Sequence, residues 1–202
     1  MSAVDTVPLH LVTTAAPVDR GPRIRSASAP QTGTLRSGTA ADGHAIHALI
    51  LEHRQEGHLL PRDLREVTLR ADRFIVVTSG AETDGDRVLG CAELAPLSRE
   101  VAEVRSLVVS HDARGLGLGR RIVDQLVARA ARAGFRTLCA FTHSPAYFVH
   151  MGFSIVPHVW LSEKILTDCR ECPEFRRCGQ YAVIRRLERS GTAAVSPGAL
   201  HG

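Results

Sequence analysis

The sequence predicts an α/β domain: a mixed, mostly antiparallel sheet with helices packed against it. Three observations carry this reading. Short apolar runs bounded by turn signals, among them "RFIVVT", "RVLGCAEL", "EVRSLVV" and "RTLCAF", have the length and β-branched content of strands. The first two are separated by "SGAETDGD", a hairpin turn. Between the last two lies a helical run in which Ile122, Val123, Leu126, Val127, Ala130 and Ala131 share one face and Arg121, Asp124, Gln125, Arg129 and Arg132 the other. That order gives one strand–helix–strand crossover beside a hairpin, hence a mixed sheet.

The remaining elements follow in chain order. Residues 1–32 are rich in Ala, Ser, Thr and Pro without apolar periodicity and read as a disordered leader. "TLRSG" is a short strand, and "AADGHAIHALILEHRQEG" a helix with Asp42 as N-cap and Gly57 as its stop. "LLPRDLREVTLRA" starts a second helix after Pro61. The crossover helix runs Arg120 to Ala133, ended by Gly134. A short helix in "SPAYFVHM", a strand in "GFSIVPH" and a closing strand "QYAVIRRL" complete a domain over 33–188, with a cysteine-containing insertion at 160–179 and a disordered tail at 189–202.

Composition excludes several classes. The net charge is +4, but half of the excess sits before residue 39, where four arginines face two aspartates, and only 4% of residues are aromatic. A nucleic-acid interface needs denser basic and stacking residues than that. No run reaches the ~18 apolar residues of a membrane span. The N-terminus has no basic region leading into an apolar one, so a cytoplasmic, reducing setting is expected.

"RGLGLGRR", Arg114 to Arg121, sits where a strand hands over to the crossover helix. The first N–H groups of a helix lack intrahelical partners and carry the positive end of its dipole. Gly115, Gly117 and Gly119, with Leu116 and Leu118 between them, let a ligand approach the backbone, and Arg114 and Arg120 add charge. The stretch reads as a cradle for a phosphate-bearing ligand or as a flexible strand-to-helix turn. The Rossmann and P-loop spacings do not fit it.

The spacing Arg114-x-x-Gly117-x-Gly119, preceded by "EVRSLVV" and followed by "YFVHMGF", resembles the GCN5-related N-acetyltransferases, the GNAT family. "EGHLLPRDLREV" and "WLSEKILTDCRECPEFRRC" are similar to the short bacterial N-acetylglutamate synthases and amino-acid N-acetyltransferases within it. The resemblance implies a GNAT fold with a V-shaped splay between central strands. It also implies acetyl-CoA as co-substrate, its pyrophosphate on residues 114–120 and its pantetheine arm paired along the backbone of Leu107, Val108 and Val109. The implied acceptor is a small-molecule amine, L-glutamate at the first step of arginine biosynthesis. Another amino acid, another amine, a protein, or acetyl-CoA binding without turnover are the alternatives.

Acetyl transfer requires a neutral amine, and an α-amine with a pKa near 8 or above must lose a proton first. Glu103, opening "EVRSLVV", is the expected general base. Strict alternation places Glu103, Arg105, Leu107 and Val109 on one strand face. The family's general-acid tyrosine, four residues before the glycine of "GF", falls on Phe148 here, which has no proton to donate and is read as a cofactor contact; Tyr147, one place earlier, is the candidate acid or else a core or cofactor contact. Glutamate's carboxylates call for cations, and Arg105, Arg62 and Lys164, the chain's single lysine, are the candidates.

Cys91 and Cys139 lie in apolar strands and read as small buried hydrophobes. Cys169, Cys172 and Cys178 form a cluster with three open readings: a structural zinc or iron–sulfur site, free thiols, or a disulfide. The ten histidines form no metal-ligating pattern. The assembly is open between a monomer and a homodimer.

Overall fold

The computed structural model describes residues 33–54, 59–80, 87–173 and 175–188. The leader 1–32, the tail 189–202, Gly57 and the core of the predicted hairpin turn at 81–86 lie outside the described residues. The described chain folds as β1 (Thr34–Ser37), α1 (Gly43–Glu52), α2 (Leu64–Leu69), β2 (Phe74–Thr78), β3 (Val88–Pro96), β4 (Val101–Val109) and α3 (Leu118–Arg132), then β5 (Thr137–Thr142), α4 (Pro145–Val149), β6 (Ser154–Val156), α5 (Ser162–Thr167) and β7 (Tyr181–Arg186). The strands form one seven-stranded sheet in the order β1-β2-β3-β4-β5-β7-β6. Every pair is antiparallel except β4 and β5, which the α3 crossover makes parallel.

Both faces of the sheet are covered, so β2 is buried at all five residues and reads as an unbroken apolar run instead of an alternating one. On one face Ile122, Val123 and Leu126 of α3 pack with Leu89, Leu94, Val104 and Leu138. On the other, Ile46 and Ile50 of α1 and Val67 of α2 meet Phe74, Val76 and Val108. Farther along that second face a smaller cluster joins Val101, Cys139, Val156, Leu161 and Ala182 under the start of α5. No helix among the described residues is long and apolar enough to cross a membrane.

Three details differ from the sequence reading. Helix α3 begins at Leu118, two residues earlier than expected, because Gly117 caps it in the left-handed region at φ +73 and buries Leu118 in the core. Asp42 precedes α1 but makes no side-chain cap to it. Its carboxylate instead accepts two 2.8 Å hydrogen bonds from Arg36 and others from Thr39. Those bonds, Arg36 first, hold it well below the usual carboxylate range.

The third difference lies in β4. Its pairing with β3 shifts between Cys91↔Val108 and Glu93↔Arg105, so that Ser106 and Leu107 together face Ala92. Ser106 has φ 52, the one positive value among the described non-glycine residues. This bulge reverses the alternation. Glu103 and Arg105 stay on the face of α1 and α5, whereas Leu107 and Val109 turn to the α3 side and join its core. The expectation of one shared face for all four fails because an inserted residue breaks period two.

Candidate functional site

Strands β4 and β5 pair only from Val101↔Thr137 to Glu103↔Cys139. Past Glu103 they part, β4 staying with β3 to Val109 and β5 with β7 to Thr142. The wedge between them opens into a cleft of about 1590 Å³. Along its β4 wall, backbone N–H and C=O groups on the β5 side have lost their strand partner, a ready edge for an extended ligand.

One end of the cleft is the turn into α3. Gly115 (φ +80) and Gly117 (φ +73) adopt conformations that favour glycine, and a Cβ on either would meet nothing within 4 Å. Glycine is needed there by the backbone angle, and the space above it is open. Gly119 differs: a Cβ on it would collide with the Tyr147 hydroxyl. The N–H groups of Leu118, Gly119 and Arg120 form the first turn of α3 and lack intrahelical acceptors by position. Arg114, Gly115, Gly117, Leu118, Gly119 and Arg120 all line the cleft, but Leu116 is exposed and does not. Arg120 forms a loose 3.7 Å ion pair with Asp124, and Arg121 donates to the Gly33 carbonyl.

Helix α4 brings Tyr147 and Phe148 to the same wall. Phe148 is buried and meets Phe153 edge-on, with ring centroids 5.2 Å apart. Tyr147 is half-exposed; burial, aided by Asp124, raises the pKa of its hydroxyl, with Arg120 acting against it.

At the other end four charged side chains meet. Glu103, 3% exposed, accepts from Arg105 Nε at 2.5 Å and from Lys164 Nζ at 2.8 Å. Asp168 Oδ2 accepts from Lys164 Nζ at 2.8 Å and from Arg105 Nη2. Burial disfavours the charge on Arg105, but Glu103, Asp168 and Glu93, in that order, together more than offset this, so its pKa is raised. The Lys164 ammonium also lies 5.3 Å from the centre of the Phe141 ring. Helix α5 supplies Lys164, and the i, i+4 spacing of Lys164 and Asp168 puts both on the side facing β4.

Arg62 occupies the neighbouring part of the cleft. Asp63 caps α2 by accepting from Glu66 N–H, which fixes the turn that carries Arg62. Arg62 Nη2 is 3.0 Å from Glu66, and its Nη1 donates to Ser106 Oγ at 3.3 Å. Nη2 also lies 2.9 Å from Oε2 of Glu93, a fully buried carboxylate. That approach is an ion pair without a directed hydrogen bond, so neither Glu93 oxygen has a hydrogen-bond donor among the described residues. The predicted cations are therefore gathered at one end of one cleft, each already facing carboxylates of the chain itself.

Sequence reasoning missed Asp168, Glu93, Glu66 and Ser106. Two carried a signal: Asp168 stands one helical turn after the only lysine, and Glu93 is a carboxylate inside an apolar strand.

The cysteines divide into the two expected groups. Cys91 and Cys139 are fully buried; burial pushes the Cys91 thiol up to about 12 and Cys139 still higher. Cys169, Cys172 and Cys178 line the cleft as free thiols, not a disulfide. Among the described residues no group of three His, Cys, Asp or Glu could hold a metal ion. The segment that carries the three cysteines folds as two short 3-10 turns, Cys169–Glu171 and Phe175–Arg177.

Comparison with known proteins places this architecture. An uncharacterized N-acetyltransferase of Chlorobaculum tepidum is 28% identical over 153 residues, covering 76% of this chain and 96% of that protein. An amino-acid acetyltransferase of Ralstonia nicotianae is 34% identical over 121 residues, 59% of this chain, which spans only 26% of that longer protein. Among solved structures, N-acetylglutamate synthase from Neisseria gonorrhoeae, complexed with coenzyme A and N-acetyl-glutamate, superposes with a TM-score of 0.66 at 26% identity. That match covers 77% of this chain and 35% of that one. The profile of the acetyltransferase (GNAT) family matches residues 44–153, which include β2 to β5, both helices of the first half, the glycine turn and α4. With more than half of the sequence inside that match, the chain belongs to the acetyltransferase (GNAT) family.

Proposed function

We propose that the chain transfers the acetyl group of acetyl-CoA to the α-amine of L-glutamate, the first step of arginine biosynthesis. Family membership supports the class of N-acetyltransferase. The finer reading is supported by one observation above all: Glu103, at the last paired position before β4 and β5 part, stands beside Arg105 and Lys164 at the end of the cleft opposite the glycine turn.

In this reading the pyrophosphate lies on the first turn of α3, and the pantetheine amides pair with the free edge of β4 from Leu107 to Val109. The thioester then reaches the wedge next to Glu103. The acceptor enters from the face of α1 and α5 with a carboxylate toward Arg105 and Lys164, Arg62 serving the second. Glu103, directly or through water, takes the proton that frees the amine. The amine attacks the carbonyl carbon, the new C–N bond forms, and the C–S bond breaks. Tyr147 is a neutral phenol of raised pKa in the same cleft, able to donate to the leaving thiolate; water is the other donor. Neither step calls on Cys169, Cys172 or Cys178.

The test is an acceptor panel with acetyl-CoA: L-glutamate, other amino acids, a polyamine, an aminoglycoside and a peptide N-terminus, reading free CoA and product mass. L-Glutamate as the best acceptor supports the reading. Acetylation of the polyamine or peptide without glutamate would replace it.

A further inference from the structure

The four charges at the acceptor end form a closed ring. Glu103 meets Arg105 and Lys164, and Asp168 meets the same two cations, so the signs alternate and the ring is neutral. Its members are not equally fixed. The side chains of Glu103, Lys164 and Arg105 are 4%, 11% and 20% exposed, whereas that of Asp168 is 34% exposed. Glu103 and Arg105 sit on a central strand and Lys164 within α5. Asp168 lies just past the helix end, tied to it by its backbone N–H to the Lys164 carbonyl at 3.0 Å.

One oxygen of Asp168, Oδ2, touches both cations. A substrate carboxylate placed between a guanidinium and an ammonium would take the same position. The neighbouring cation, Arg62, faces Glu93 and Glu66. A carboxylate-bearing acceptor therefore reaches an end of the cleft where Arg62, Arg105 and Lys164 are all engaged by carboxylates of the protein.

We propose that Asp168 is an internal competitor for the acceptor's carboxylate, a specificity-determining residue that occupies the seat between Arg105 and Lys164 until the acceptor displaces it. The inference deepens the function proposed above and rests on its assignment of the acceptor end. Displacement needs only rotation about the Asp168 side-chain bonds toward solvent, which rehydrates its carboxylate, while Lys164 and α5 stay in place. The incoming carboxylate restores the neutrality of the ring. An acceptor without a carboxylate cannot make this exchange, and the ring stays closed against it.

The experiment compares wild type with Asp168→Asn and Asp168→Glu, Asp168→Ser standing in if the Asn variant melts early. Steady-state kinetics with L-glutamate are joined by calorimetry with glutarate, a dicarboxylate without an amine. Asn removes the competing charge, so the KM for L-glutamate falls about ten-fold and glutarate binds about ten-fold tighter, the size of one charge-assisted contact. The KM for acetyl-CoA does not follow. Asp168→Glu keeps the competitor and stays near wild type. A raised KM in Asp168→Asn, glutarate binding that does not tighten, or an Asp168→Glu variant that behaves like Asn overturns the inference. Tighter glutarate binding with no acetylation of L-glutamate by any of the proteins supports the seat and removes the glutamate reading instead.

Discussion

Lys164 Nζ contacts both carboxylate oxygens of Glu103, at 2.8 Å and 2.9 Å. The pair joins α5 to β4 at the position where the sheet opens, so the helix after β6 is fastened to the beginning of the cleft. Lysine and glutamate are both nearly buried there, and such a pair is stable only when other groups complete its hydrogen bonding. Arg105, Asp168 and the Phe141 ring supply that surrounding.

Glu103→Gln keeps the shape of this contact and removes proton acceptance. The rate of acetyl transfer is expected to fall ~10²-fold or more, with partial recovery at high pH, where the acceptor amine is already neutral. Acetyl-CoA affinity, measured by calorimetry, stays close to wild type. A pH–rate profile identical to the parent's assigns the proton to water or another group.

The contact of Tyr147 with Gly119 makes the proposed cofactor end testable without touching a charge. In Gly119→Ala the new methyl collides with the phenol oxygen, pushing the ring or the first helical turn out of place. Acetyl-CoA binding is expected to weaken about ten-fold. Adding Tyr147→Phe removes the obstructing oxygen and restores part of the loss, a coupling that a double-mutant cycle reads directly. Additive losses would separate Tyr147 from the loop.

Much of this architecture was legible because its signals are local. The α3 stripe of Ile122, Leu126 and Ala130 has helical period, and the glycines before it mark the turn. The bulge was not legible: nothing in the residue type of Ser106 announces a positive φ, and that one angle sends Leu107 and Val109 to the opposite face. The charge ring was only half legible. Glu103 and Arg105 stand two apart on a strand, but Asp168 arrives from 63 residues beyond Arg105, and only the folding of α5 over the wedge joins them. The cysteine spacing left three readings open because ligand spacing is a necessary feature of a metal site and not a sufficient one; how the segment folds back on the cleft is set by contacts that spacing does not encode.

Arg62 and Glu93 should behave as a structural unit. Glu93 is fully buried and Arg62 is its ion-pair partner, so Arg62→Met leaves a buried carboxylate uncompensated at a cost of ~3–5 kcal/mol. Arg62→Met with Glu93→Leu removes both charges and is expected to recover most of that stability in denaturant unfolding. If the double variant is no more stable than the single one, Glu93 is compensated by another group, Arg105 across the strand pair being the nearest in register.

The Arg36–Asp42 pair predicts a pH dependence. Asp42 has its folded pKa depressed by Arg36 and Thr39, so the stability it contributes is present above its unfolded pKa of ~3.9 and is lost as pH falls toward the folded value. Asp42→Asn should therefore cost about 2 kcal/mol at pH 7, the size of a charged hydrogen-bonded contact. The gap between variant and parent should shrink steadily below pH ~4. A gap of constant size down to pH 2 would assign the loss to altered packing at the start of α1.

The acceptor itself gives the last prediction. If L-glutamate binds with its carboxylates on Arg105, Lys164 and Arg62, L-glutamine and L-aspartate each lose or misplace one charged contact in a partly desolvated site. Their kcat/KM should then be lower by ~10- to 10³-fold. Arg105→Lys sharpens the test. It keeps the charge but replaces a planar fork that reaches Glu103 through Nε and Asp168 through Nη2 with a single ammonium, which cannot span both directions. The KM for L-glutamate should rise about ten-fold, and kcat should fall as well because Glu103 loses a donor, while the KM for acetyl-CoA, set at the other end of the cleft, moves little. L-Glutamine acetylated as fast as L-glutamate would mean that one carboxylate suffices, leaving Arg62 to Glu93 and Glu66 and widening the acceptor class to amino acids in general.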